Sequence, residues 1–217
     1  MTVSEKIDAK LVKELREKSG APMGDCLKAL QETHGDIEAG FAALRKRGMA
    51  SAQKKAARNT NEGAVGTYIH AGGKIGVLIE INCESDFVAR TDDFQELLKD
   101  IAMHIAATDP RYVKPEDVSP EDMAREKDIY RAQAAATGKP PAVIEKIVDG
   151  KMAKFYEEVC LLEQPFIKEQ SITIKELIGQ KVGKLGENIT VRRFARFKVG
   201  APDWTVAQTK TVEAAAE

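Results

Sequence analysis

The sequence predicts an α+β fold: a three-helix head at the N-terminus, a linker helix, and a core of helices packed on a small, mostly antiparallel sheet. Three observations carry this. Apolar residues recur at helical spacing through the first ~48 positions. The period then switches to two across residues 65–83 and again across residues 189–199, with helical spacing restored between them. A chain of 217 residues, 43% hydrophobic and 31% charged, has the apolar content to bury a core and lies outside the disordered class.

The head, residues 1–48, is built from short stripes. Leu11, Val12 and Leu15 share one face of the first helix. Ser19-Gly20 stops it, because glycine adopts the left-handed conformation that closes a helix. Pro22 opens the second helix, where its missing N–H is no loss, and Met23, Cys26, Leu27 and Leu30 form its stripe. His34-Gly35 ends it, Asp36 caps the third, and Ile37, Phe41 and Leu44 continue inward until Gly48 closes the unit. Residues 49–62 are rich in Ala and Lys and read as an exposed, basic linker helix.

The core is expected over residues 63–200. Val65, Thr67 and Ile69 alternate, Gly72-Gly73 supplies the positive φ angles of a tight turn, and Ile75, Val77, Ile79, Ile81 and Cys83 alternate in return. Leu78, on the other face, implies partial cover on both sides. A helix follows from Thr91 to Ala107 with Phe94, Leu97, Leu98, Ile101 and Ile105 inward, and Asp109-Pro110 stops it. Helices are expected at 120–137 and 141–162, separated by Gly138-Lys139-Pro140-Pro141 and with a candidate break at Asp149-Gly150. A further helix covers 173–182, and the last strong strand is 189–199. Residues 201–217 read as a mobile tail from which only Trp204 is suited to docking.

Composition excludes several classes of function. The formal net charge of −1 lacks the basic surplus that bulk binding to nucleic acid or an anionic membrane requires. That balance hides an asymmetry. Six basic and no acidic residues lie between Arg45 and Arg58, whereas seven acidic residues between Glu80 and Asp100 face only Arg90 and Lys99. No run approaches the ~18 apolar residues of a membrane span, and the start MTVSEKIDAK resembles neither a signal nor a transit peptide, so a cytoplasmic protein is expected. Cys26, Cys83 and Cys160 lack metal or disulfide spacing and are expected to be buried, reduced thiols.

Chemistry-bearing motifs are sparse. Gly72-Gly73-Lys74-Ile75 lacks both the earlier glycine and the magnesium-binding hydroxyl of a phosphate loop. His34, His70 and His104 are scattered, and His104, three residues after Ile101, reads as a half-buried structural histidine. No acid, base, nucleophile or metal set converges, so neither an enzyme nor a cofactor or metal is expected. There remains the strand-to-helix turn Asn82–Arg90 (NCESDFVAR), where Ser85 is suited to capping the turn that begins at Asp86. The residues alone leave two readings open: Phe87 packs inward while Asp86 favours the helix start, or the turn is a working tip.

This segment is very similar to the signature of the elongation factor Ts family, in which a Thr-Asp-Phe-Val run follows the core hairpin. Leu11–Leu30 (LVKELREKSGAPMGDCLKAL) and Gly35–Gly63 resemble that family's head and linker, and Gly66–Cys83 its hairpin. Leu161–Thr173 and Glu187–Gly200 resemble its closing segments, so the likeness runs from about Asp8 to Gly200. The head also resembles ubiquitin-associated domains in size. The family resemblance implies a non-enzymatic exchange factor that binds elongation factor Tu, GDP-bound or nucleotide-free, and releases its GDP. It places head contacts with the GTPase domain at Leu11, Val12 and Met23. It places Asp86 and Phe87, with Ser85, Val88 and Arg90, as a wedge between two helices near the partner's magnesium site.

Ser85 departs from the usual Thr but keeps a hydroxyl, Gly24 stands where a second Met is common, and Pro22 replaces a common Gly. The resemblance to short, single-hairpin members, which pair their cores, implies a homodimer, and the net charge of −1 argues for no nucleic-acid or membrane partner. Two alternatives rest on the residues. Arg192, Arg193 and Arg196 interleaved with Phe194 and Phe197, together with the Arg45–Arg58 cluster, suit single-stranded RNA. The head alone suits a peptide-binding adaptor, which leaves ~150 residues unexplained.

Overall fold

The structure, a computed structural model, describes residues 7–201 and 205–208. In chain order its helices are α1 (Ala9–Ser19), α2 (Met23–Glu32), α3 (Ile37–Lys55), α4 (Asp86–Ala89), α5 (Asp92–Thr108), α6 (Pro120–Ala135), α7 (Pro141–Val159) and α8 (Ile174–Leu185). The strands are β1 (Glu62–Ile69), β2 (Ile75–Cys83), β3 (Pro165–Phe166), β4 (Glu169–Thr173), β5 (Ile189–Lys198) and β6 (Thr205–Gln208). The α+β class is as the sequence predicts. By contacts the described residues form two compact units: 7–64, 82–97 and 175–190 in one, and 65–81, 98–174, 191–201 and 205–208 in the other. No helix among the described residues is long and apolar enough to cross a membrane.

In the first unit the helix ends expected at Gly20 and Asp36 are observed, and Asp8 adds a cap to α1. Asp8 accepts from the Lys10 N–H at 2.9 Å, and Gly20, at φ 64°, donates its N–H to Arg16 O at 2.8 Å to close α1. Asp36 accepts from the Ala39 N–H at 3.0 Å and starts α3. Val12, Leu15, Cys26, Ala29 and Leu30 form the head core, with Phe41 and Leu44 packed against it. Gly48 does not end the third helix, as its residue type suggested. α3 runs through it to Lys55, so residues 49–55 extend the head helix rather than begin a separate one. Gly48 is buried because α3 crosses α8 there at close range. A Cβ on Gly48 would sit 3.1 Å from Gly179 O, and one on Gly179 would sit 2.9 Å from Met49 Sδ. Arg45 pairs with Glu176 at 2.8 Å along the same crossing.

In the second unit, β1 and β2 form the hairpin, turned by Gly72 (φ 87°) and Gly73 (φ 69°). The four-stranded sheet has the order β1-β2-β5-β6. Val77, Ile79 and Ile81 point inward with Ile101, Ile105 and Phe194, all buried. In β1 Val65 and Ile69 are exposed, so the alternating apolar residues mark the outer face of the strand, and Gly66 faces inward. Only glycine fits there, since a Cβ would lie 2.6 Å from Leu98 Cγ. Leu78 is likewise exposed, so the outer face is not covered as expected. In β5 the buried positions are Ile189 and Val191, then Phe194 and Arg196, so the alternation slips by one residue between them. β6 pairs antiparallel with β5, Phe194 opposite Ala207, which makes Thr205–Gln208 a strand within the stretch read as tail. Trp204 and residues 209–217 lie outside the described residues.

α6 and α7 pack together over a core of Val148, Met152, Phe155 and Val159, and α7 passes Asp149-Gly150 unbroken. His104 is fully buried rather than half-buried. Its Nε2 lies 3.0 Å from Gln164 Oε1, its Nδ1 accepts from the Ile167 N–H at 3.4 Å, and Thr108 Oγ1 also donates to Gln164 Oε1 at 2.9 Å. Burial lowers the His104 pKa to about 4, so the ring is neutral near pH 7. Cys26, Cys83 and Cys160 are free and buried.

Candidate functional site

The turn after β2 is a single helical turn, α4, with every backbone anchor in place. Ser85 sits in extended conformation at its N-cap, and its Oγ accepts from the Val88 N–H at 3.4 Å. Val88 and Ala89 are buried beneath the turn. Thr91 Oγ1 donates to Val88 O at 2.8 Å, and Gln95 Nε2 donates to Ala89 O at 2.7 Å, so the carbonyl side is tied as well. Four residues of helix give one side chain per direction. With Val88 and Ala89 directed inward, Phe87 is directed out.

Phe87 is 78% exposed. A phenyl ring held in water on a well-anchored turn gives up the ~2 kcal/mol that burial of such a side chain supplies. Asp86 and Arg90 flank it, paired at 2.6 Å one turn apart and both exposed. An exposed pair of this kind is worth ~0–1 kcal/mol and opens readily. The inward-packing option for Phe87 is therefore not the one the chain adopts.

The cap is itself held from elsewhere in the first unit. Glu187 Oε2 accepts from the N–H groups of Glu84 (3.1 Å) and Ser85 (3.0 Å), and Glu187 Oε1 accepts from Ser85 Oγ (2.6 Å). In return Glu84 Oε1 accepts from the Asn188 N–H at 2.6 Å. That N–H, aided by Arg58 at 3.3 Å, holds the Glu84 carboxyl below its ordinary range. Burial, and then the charge of Glu187, push the Cys83 thiol up. Asn188 Nδ2 donates to Arg58 O at 3.0 Å, tying the brace to the chain that follows α3. Glu187 lies 102 positions from Ser85, and no local pattern in the sequence marks it.

The head residues singled out by resemblance fare differently. Val12 is buried in the head core and Leu11 packs against that core, so both support the fold of the head. Met23 is about half exposed and, with Leu27 one turn on, makes an apolar pair on the outer side of α2. Of the tip residues, Asp86, Phe87 and Arg90 are exposed together, Ser85 is half-buried as their cap, and Val88 is their buried foot.

The local charge asymmetry is largely answered within each unit. In the first, Asp93 is bonded by Lys184 (2.7 Å) and Lys181 (3.0 Å), and Glu96 by Lys181 (2.9 Å). In the second, Asp100 pairs with Lys168 at 2.7 Å. The β5 arginines are engaged too: Arg193 pairs with Glu80 at 2.6 Å, while buried Arg196 reaches Ala106 O and Asp109.

A family model described as "Elongation factor TS" matches residues 48–201. Among curated relatives, "Elongation factor Ts" of Koribacter versatilis (strain Ellin345) is 69% identical over 204 residues, covering 94% of this chain and 93% of that protein. The protein of the same name from Solibacter usitatus (strain Ellin6076) is 60% identical over 194 residues, covering 89% and 92%. That from Geobacter sulfurreducens is 57% identical over 194 residues, covering 89% and 90%.

Proposed function

This chain belongs to the elongation factor Ts family, and we propose from that membership that it is the guanine-nucleotide exchange factor of elongation factor Tu in translation elongation. The observation that carries the reading is Phe87, exposed on a turn held at Ser85, Val88 and Ala89. A wedge must be free at its tip and fixed at its base. Inserted between two packed helices of the GTPase, the ring moves them as bodies, because dense interiors shift rather than deform smoothly. That displaces the groups that hold magnesium and the phosphates of GDP. The carboxylate of Asp86, once its weak pair with Arg90 opens, adds negative charge beside them. Met23 and Leu27 supply an apolar patch for the head contact.

Weakening of GDP by the factor and weakening of the factor by nucleotide are the same coupling free energy, so rebinding of GTP releases the factor. No bond is made or broken, and no catalytic residue or cofactor is required. The test loads elongation factor Tu with fluorescent GDP and follows its release on adding this protein. Acceleration at sub-stoichiometric amounts is expected, and an unchanged rate overturns the reading.

A homodimer formed through the sheet belongs to the same proposal. Val65 (63%), Ile69 (66%), Leu78 (46%), Phe197 (51%) and Val199 (72%) leave much of their apolar surface in water on the outer face of the hairpin and β5. A contiguous apolar face of this kind marks an interaction surface, and a second copy presents a self-complementary one. The burial of Arg196 against Ala106 O and the pairing of exposed Arg193 with Glu80 disfavour the RNA reading of that strand.

A further inference from the structure

With 78% of its surface in solvent, Phe87 depends for its direction chiefly on the backbone of Ser85–Val88 that carries it. Thr91 and Gln95 hold the carbonyl side of that turn, and a single side chain, Glu187, holds its N-terminal side. Resting on the exchange reading above, we propose that Glu187 is a positioning residue for nucleotide exchange, whose carboxylate sets the direction of Phe87 by holding the Glu84–Ser85 segment.

Three donors converge on this carboxylate: Glu84 N–H at 3.1 Å, Ser85 N–H at 3.0 Å and Ser85 O–H at 2.6 Å. The last is the decisive link. Ser85 Oγ gives its single proton to Glu187 and receives the Val88 N–H, so the hydroxyl relays the position of Glu187 into the turn that carries Phe87. The relay requires an acceptor-only group. A carboxylate offers two oxygens with about four acceptor sites, and three donors use them without conflict. A glutamine at the same place keeps one oxygen and sets an NH2 against at least one donor.

Glu187 is itself fixed. It follows Gly186, whose φ of 80° turns the chain out of α8, and precedes Asn188, which is buried and bonded to the Ala56 and Arg58 carbonyls. Glu84 returns the bond to the Asn188 N–H at 2.6 Å. Glu187 thus holds the Glu84–Ser85 backbone while Glu84 holds the backbone of Asn188, the residue after Glu187, and the tip loop and the α8–β5 connection move together. Charge-assisted bonds of this kind are roughly twice as strong as neutral ones, which suits a group that must hold a turn against the load of parting two helices.

The test uses the full chain and GDP-loaded elongation factor Tu, comparing the unaltered protein with Glu187→Gln, Phe87→Ala and the double variant. Release is measured across factor concentration, and thermal melting is measured for each. Glu187→Gln is expected to lower the saturating exchange rate about tenfold, with the half-saturating concentration changed less than about threefold. In the Phe87→Ala background it is expected to have no further effect, since there is no ring left to direct. An unaltered rate for Glu187→Gln overturns the proposal. So does an equal fold-loss in both backgrounds, which marks a residue that merely supports the fold. If Glu187→Gln melts before assay, Ser85→Ala carries the same cycle: it cuts the relay and leaves both backbone bonds. Coupling to Phe87→Ala then supports the proposal, and additivity refutes it. Absence of exchange by the unaltered protein defeats the exchange reading itself, an outcome distinct from loss of this inference alone.

Discussion

At Phe87 stability and function are separable, because the ring contributes surface and not packing. Phe87→Ala is expected to change the free energy of unfolding by less than about 0.5 kcal/mol, measured by denaturant titration, and to slow stimulated GDP release at least about tenfold. Asp86→Ala should cost less activity, since its pair with Arg90 is solvated. His104 behaves in the opposite way: it is buried and bears on stability. Its pKa falls from 6.5 to about 4 on folding, so the unfolded chain takes up a proton that the folded chain refuses. Stability is then complete above about pH 6.5 and declines as pH falls toward 4, by up to about 3 kcal/mol. His104→Gln should flatten that part of the profile in melts taken from pH 7 to 4. The hydroxyl cap at Ser85 was legible in the sequence, since serine before a short apolar turn has a local chemical reason. The direction of Phe87 was not, because four residues of helix carry no period from which a face can be read. Glu187 was invisible for a different reason, its partners being a hundred positions away.

Among the elements, glycine is where local signals and tertiary packing part company. Gly20, Gly72 and Gly73 read correctly as stops and turns because their positive φ is a local property. Gly48 read as a stop and is a crossing point, since the need for a small residue there comes from Gly179 on another helix. Alanine at 48 gains up to ~1 kcal/mol in helix propensity. Its Cβ, however, meets backbone at 3.1 Å, and overpacking of that kind costs ~1–3 kcal/mol. Gly48→Ala is therefore expected to be destabilising by about 1 kcal/mol in chemical denaturation, although it sits in the middle of a helix. The alternation of Val65, Thr67 and Ile69 marks β1 as a strand but not which face is inward: Gly66 admits Leu98, and the branched Val65 and Ile69 face outward. Helix starts with Asp and Ser caps, by contrast, were recoverable to within a residue or two.

For the whole molecule, the class of fold followed from periodicity, while partner and activity required likeness to a family. Net charge near zero concealed a basic stretch and an acidic one, and the ion pairs of Asp93, Glu96 and Asp100 account for much of the acidic surplus without a nucleic acid or metal. The exposed face of the sheet is the feature that only coordinates reveal. If a second copy covers it, Leu78→Glu should convert a concentration-dependent dimer mass in light scattering to that of a monomer. The melting of the isolated chain should change little, as Leu78 is already in water. A monomer mass for the unaltered protein at all concentrations would count against pairing.

Because α3 runs unbroken through Gly48, and the chain beyond it is stitched at Ala56 and Arg58 to the loop that holds the tip, Met23 and Phe87 are carried on one continuous support. If both meet the partner, as proposed, the loss of translational and rotational freedom is incurred once, and the second foothold lands at a high effective concentration as soon as the first is made.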